Sequence, residues 1–284
     1  MKEDFNRALA LHKNGKLNEA EKIYLHLLKK DTKNSAILQL LGTIYLQIKN
    51  YEFSEKYLLK SLEIDPKNPG TLNNLGILKK NTNNIEKSIE YFEINIKENN
   101  FLNSWVNKSN ILLENKKFTE GLEFSKEGLL KYPNDLKLRN NFGIFLFECG
   151  YQNEALNIYQ QFDEKGVHFI DSYLNYSNIL IKINNYTKAL SILDKLLLLD
   201  QKNLNALRQR AYIYKNFSEY KKAEEDLTAI REAGSTIGVY YKVLSQYDTQ
   251  TFDEKSWTLM NEITNINSVS GSDTEDEYLE LEFS

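Results

Sequence analysis

Seven small residues recur along the chain at nearly constant spacing, and no other feature narrows its fold as much. They are Ala20, Ser54, Ser88, Gly121, Ala155, Ala189 and Ala223, at intervals of 34, 34, 33, 34, 34 and 34 residues. A second series lies twelve residues upstream of each member: Ala8, Gly42, Gly76, Ser109, Gly143, Ser177 and Ala211. Apolar residues such as Ile23/Leu27 and Leu190/Leu193/Leu197 keep helical spacing between short turn signals of the type "NG", "KN", "NN" or "CG". The pattern predicts an all-α chain of seven helix hairpins, near 1–34, 35–68, 69–101, 102–135, 136–169, 170–203 and 204–235. Small side chains in both series let the two helices of a hairpin approach closely, so a Leu at Gly143 or Ala155 is expected to overpack the seam. No hairpin buries its apolar face alone, so the hairpins must stack. Helix breakers are few, with 3 Pro and 12 Gly in 284 residues.

Period and pattern together resemble the tetratricopeptide repeat (TPR) over about residues 1–235. Trp105 fills the family's aromatic place near the start of the first helix, Tyr45 and Tyr214 its Tyr place, and Tyr24, Phe92 and Tyr159 the aromatic place of the second helix. Pro66 and Pro133 close their units. Lys79 departs at a Tyr position, Ser125 at an aromatic one, and the fifth unit ends in "DEKGVHF" without a Pro. The resemblance implies a right-handed superhelical solenoid of about seven hairpins with a concave wall lined by the first helices. It also implies a partner that is a protein or peptide.

Asparagine returns at one place of the unit. "LNNLG" (72–76), "WVNKS" (105–109), "RNNFG" (139–143) and "YLNYS" (173–177) put Asn74, Asn107, Asn141 and Asn175 in register. The full column reads Asn6, Leu40, Asn74, Asn107, Asn141, Asn175 and Gln209. Asn73 and Asn140 precede it, and Asn110 and Asn178 lie one turn further along the same helices. An Asn amide holds both a donor and an acceptor, so it pairs with peptide backbone whatever the side chains. Helices packed about 8–10 Å apart would meet an extended chain about every third residue. By resemblance this looks like the asparagine ladder of TPR arrays that feed protein substrates to glycosyltransferases. The competing account is inheritance: 33 of 284 residues are Asn, and repeats descend from one copy. Leu46, Ile77, Leu113, Ile144, Phe147 and Ile181 are expected to add apolar contacts, and basic residues are sparse until Arg208 and Lys215. TPR co-chaperones grip a terminal carboxylate with Lys, Arg and Asn; here the corresponding places hold Phe5, Leu9, Leu40, Gly70 and Asn74, which argues against that clamp.

The remaining features exclude other classes. A net charge of −4 and a pI near 5.6 disfavour nucleic acid. Cys149 is the single cysteine, and His12, His26 and His168 are too scattered for a metal site, so no cofactor or metal is expected. No apolar run approaches the roughly 20 residues that span a bilayer, and "MKEDFNRALA" is not a secretory signal, so the expected location is cytoplasmic, without membrane attachment. No nucleophile elbow, HExxH or GxxxxGK[ST] is present, and "GSTIG" (234–238) reads as a helix end, so this chain is not expected to be an enzyme.

Residues 236–284 read as a capping helix and a helical connector. "GVYYKVLSQY" (238–247) suits a solenoid cap. Thr251–Glu254 and Ser272–Glu275 form capping boxes, the first before Trp257, Met260 and Ile263, the second before Leu279 and Phe283. The segment resembles the connector of bacterial TPR–sulfotransferase fusions. The last helical pattern has no stop signal, which fits either a frayed acidic terminus or a chain cut before another domain, and the resemblance implies the substrate-recruiting part of a transferase whose catalytic domain is absent from this chain.

Overall fold

The computed structural model describes residues 2–164 and 169–232. His168 and the expectations for 236–284 lie outside the described residues. Fourteen α-helices and no strand form among them, the all-α fold that the repeat demands. Contacts divide the chain into two compact units, Met1–Gln161 and Phe162–Ser284.

The first unit carries α1 (Lys2–Lys13), α2 (Leu17–Lys30), α3 (Ser35–Gln47), α4 (Tyr51–Ile64), α5 (Pro69–Asn81), α6 (Ile85–Asn99), α7 (Leu102–Glu114), α8 (Phe118–Lys131), α9 (Leu136–Glu148) and most of α10 (Gln152–Glu164). Asn34, Asn50, Asn68 and Asn84 cap α3 to α6, each accepting the N–H three residues on, at 2.9–3.3 Å. Asp135 caps α9 in the same way at 2.9 Å. Each hairpin turn holds one residue in the left-handed region: Gly15, Lys49, Asn83, Lys116 and Gly150, with φ between 54° and 90°. These keep the repeat's own spacing.

Packing follows the small series. A Cβ on Gly143 would lie 2.8 Å from the Tyr159 ring, and one on Gly76 only 2.4 Å from the Phe92 ring, so the second helix places its aromatic against bare backbone. Ser54 and Ser88, on α4 and α6, donate to the carbonyls of Gly42 and Gly76 at 2.9 and 2.7 Å. Two of the side chains that depart from the family pattern, Lys79 and Ser125, have partners. Lys79 reaches Glu55 at 2.5 Å, where one unit earlier the Tyr45 hydroxyl donates to Glu21. Ser125 lies 3.4 Å from Ser109, and the Phe145 ring of the next hairpin fills the neighbouring space against Gly121.

The second unit carries α11 (Ile170–Lys182), α12 (Tyr186–Leu199), α13 (Leu204–Asn216) and α14 (Tyr220–Glu232). Asn185 and Asn203 cap α12 and α13, and Asn184 and Ser218 take the left-handed turn positions. Ala189, Ile192, Leu193 and Leu196 of α12 are buried with Ala211 and Ile213 of α13 and Leu227 of α14. Arg210 of α13 bridges Asp226 of α14, through two bonds of 2.6 and 2.9 Å, and Asp194 of α12 at 2.7 Å.

Candidate functional site

First helices of successive hairpins touch each other in the first unit, α3 with α5, α5 with α7 and α7 with α9. The amide column stands at these contacts. Asn74 Nδ2 donates to Thr43 Oγ1 at 2.7 Å, Asn107 Nδ2 to Asn73 Oδ1 at 3.0 Å, and Asn141 Nδ2 to Asn110 Oδ1 at 2.6 Å and Ser109 Oγ at 3.1 Å. Three consecutive hairpin junctions are therefore each tied by a side-chain amide. Thr43 is fully used: it donates to the Gln39 carbonyl and accepts from Gln39 Nε2 and Asn74.

These bonds sort the expected site residues. Asn73, Asn140 and Asn141 are buried, at 5–8% exposure, so they do not stand open in a trough. Burying an amide requires hydrogen-bond partners, and the neighbouring first helix supplies them to Asn73 and Asn141. Asn141 has both N–H groups committed to α7. Asn74, Asn107 and Asn110 are half-buried and retain further hydrogen-bonding positions: one N–H and the oxygen on Asn74 and Asn107, and the amide nitrogen on Asn110. In the second unit Asn175 is half-buried and Asn178 exposed, while Gln209 is buried and accepts the Ser177 hydroxyl at 2.5 Å.

Apolar candidates divide likewise. Leu46 belongs to a buried cluster with Leu58, Leu75 and Leu78, and Ile77 packs on it, so both serve the seam. Leu113, Ile144, Phe147 and Ile181 are half-buried. Among the described residues no group of His, Cys, Asp and Glu is arranged to hold a metal, and no helix is long and apolar enough to cross a membrane.

Models of the tetratricopeptide repeat match residues 35–68, 57–90 and 170–203. These stretches carry tetratricopeptide repeats. Solved structures share the fold at low identity. A TPR protein from Parabacteroides merdae has a TM-score of 0.68 at 16% identity, over 86% of this chain and 97% of the other. PilF of Pseudomonas aeruginosa has a TM-score of 0.61 at 18% identity, over 75% and 97%. YrrB, described as a TPR protein with an unusual peptide-binding site, has 0.50 at 17%, over 65% and 95%. No curated protein matches the sequence.

Within these repeats, sequence reasoning missed Thr43, Ser109 and Ser177 as amide partners. Ser109 and Ser177 belong to the small series, which reads as steric; the available signal was that these two members carry hydroxyls. Thr43 follows Gly42 at the place that Asn110 and Asn178 occupy in their own units.

Proposed function

We propose that this protein binds an extended peptide along the first-helix faces of its repeats, using Asn74, Asn107 and Asn110 as direct contacts. The carrying observation is the chain of inter-hairpin amide bonds, which orients those side chains before any ligand arrives. A preorganised amide loses little rotamer freedom on binding, so more of each hydrogen bond appears as affinity. Asn73 and Asn141 act as positioning residues, since they hydrogen-bond the contacting amides of Asn107 and Asn110. In the second unit Asn175 and Asn178 present the equivalent face. The TPR fold is a scaffold for protein–protein interaction, and YrrB offers a structural parallel for peptide as ligand.

The test is calorimetric titration with peptides recovered from an array, on full-length protein shown to be helical by circular dichroism. Asn74→Ala, Asn107→Ala and Asn110→Ala combined should abolish binding while the helical signal persists; unchanged affinity would end the proposal. Asn141→Ala is the contrasting variant. It leaves Asn110 and Ser109 without their donor and should cost about 1–3 kcal/mol of stability, with a smaller effect on affinity.

A second reading rests on the motif order of residues 238–284, which resembles the connector of TPR–sulfotransferase fusions. In it the repeats recruit substrate for a transferase domain. A phosphosulfate-binding α/β domain encoded downstream in the same gene is the observation that reading requires.

A further inference from the structure

The amide column that ties neighbouring first helices has a gap at the first junction. In the second hairpin its place holds Leu40, and α1 and α3 make less contact than the later pairs of first helices in the first unit. A histidine joins them where the amide is missing. His12, in the last turn of α1, has Nε2 3.2 Å from Oε1 of Gln47, the last residue of α3. The amide oxygen only accepts, so Nε2 carries the proton and Nδ1 of the neutral ring is bare. Nδ1 is buried and has no hydrogen-bond partner among the described residues. The imidazole stands edge-on to the fully buried ring of Tyr24 on α2, centroids 6.1 Å apart, and the Tyr24 hydroxyl is likewise without a partner.

An asparagine amide keeps its charge between about pH 5 and 8, but an imidazole does not. The second proton goes to Nδ1, where the new N–H is withdrawn from water with neither an acceptor nor a counter-charge. The Nε2 bond to Gln47 survives protonation. The cost falls on the buried side of the ring, and water reaches that side only if the packing of α1 opens. The titratable group that α2 turns toward the ring is Tyr24, which burial pushes up to about 12 and so keeps neutral. From α3 comes Gln47, and no charged group acts on the ring. Burial holds His12 below its ordinary value of 6.5, and the bond to Gln47 opposes that shift. A base that holds its proton less tightly when folded weakens the fold as pH falls through its ordinary value, and the loss is complete once pH passes its folded value.

We propose that His12 is an acid-released latch: its protonation loosens the α1–α2 hairpin from α3, while the amide-tied hairpins that follow stay closed. The device concerns the array itself and is independent of what the groove binds.

Hydrogen exchange of the full-length chain is followed at pH 7.5 and 5.5, corrected for the intrinsic pH dependence of exchange. Protection of α1 and α2 should fall severalfold at the lower pH, with about tenfold as the ceiling that an unfolded-state value near 6.5 allows. Protection of α5 to α9 should not change. His12→Gln keeps an amide toward Gln47 but cannot titrate, so it should erase the response. His26→Gln, at an exposed position of the same hairpin, should retain it. Should His12→Gln fail to fold, the NMR titration of the native His12 ring carries the test, with a midpoint below 6.5 expected. The latch is overturned by undiminished protection of α1 and α2 at pH 5.5, by an equal loss in α5 to α9, by a response that survives in His12→Gln, or by a native midpoint at or above 6.5.

Discussion

The pairing of Gly121 with Phe145 shows how one residue compensates another across a hairpin boundary. At the place of Phe145 five other units carry Ile44, Leu78, Ile111, Ile179 and Ile213 and the first carries Ala10, and at the place of Gly121 the other units carry Ala or Ser. Phe145 is fully buried, and a Cβ on Gly121 would fall 2.1 Å from its ring. Gly121→Ala should therefore destabilise by about 1–3 kcal/mol, through overpacking. Phe145→Ile alone should cost a similar amount, about 1–3 kcal/mol, through the cavity it leaves. Together they recreate the pair found in other units, and urea denaturation should show the double variant more stable than the sum of the singles predicts. Strict additivity would mean that the two sites do not share one space. Two buried tyrosines make a second contrast. The Tyr159 hydroxyl donates to the Asn140 carbonyl at 2.9 Å, whereas the Tyr24 hydroxyl has no partner among the described residues. Tyr159→Phe should cost about 1 kcal/mol and Tyr24→Phe less than about 0.5 kcal/mol or a slight gain. Equal losses in thermal melts would contradict the assignment.

At the scale of helices and turns, the left-handed residue in every described hairpin turn is the most regular feature after the small series. Glycine serves at Gly15 and Gly150, but Lys116 holds φ 54° with a full side chain. A left-handed conformation costs an L-residue about 1–2 kcal/mol, and Gly avoids it against a backbone-entropy loss of about 0.5–1 kcal/mol. Lys116→Gly should raise the thermal midpoint, and Asn83→Gly should raise it less, since Asn tolerates this region; a lowered midpoint at Lys116 would count against the strain. "NG", "NN" and "CG" announce their turns in the sequence, but the "KK" at 116–117 does not, and only the period places it. The hairpins and their seams were legible because small residues at fixed spacing have one steric meaning. The asparagines were not, because one residue type does three jobs. Asn34, Asn68 and Asn203 cap helices, Asn83 and Asn184 make turns, and Asn73, Asn107 and Asn141 tie neighbouring hairpins. Partners 31–34 residues away decide among these jobs, and local sequence does not contain them.

For the molecule as a whole, stability is a sum of hairpins and of junctions between neighbours, since the helix contacts within each unit join a hairpin to itself or to the adjacent one. The Arg210 bridge tests this. Asp226 is 4% exposed, and burial raises its pKa while Arg210 opposes the rise. Arg210→Met leaves that carboxylate buried without its partner, which should cost about 3–5 kcal/mol near neutral pH. The sign of the pH effect follows from the raised folded-state pKa. A carboxyl that holds its proton more tightly when folded favours the folded state at low pH and loses that advantage as pH rises past its unfolded value. Removing the arginine raises the folded pKa further, so the variant's deficit relative to wild type should be largest at pH 8 and shrink towards pH 5. Hydrogen exchange then locates the loss. Amides of α13 and α14 should exchange faster in Arg210→Met, while those of α1 to α4 keep their wild-type protection, because nearest-neighbour coupling does not carry the defect that far. Equal loss of protection in α1 to α4 would mean that the repeats melt as one block, and the additive description of this array would fail.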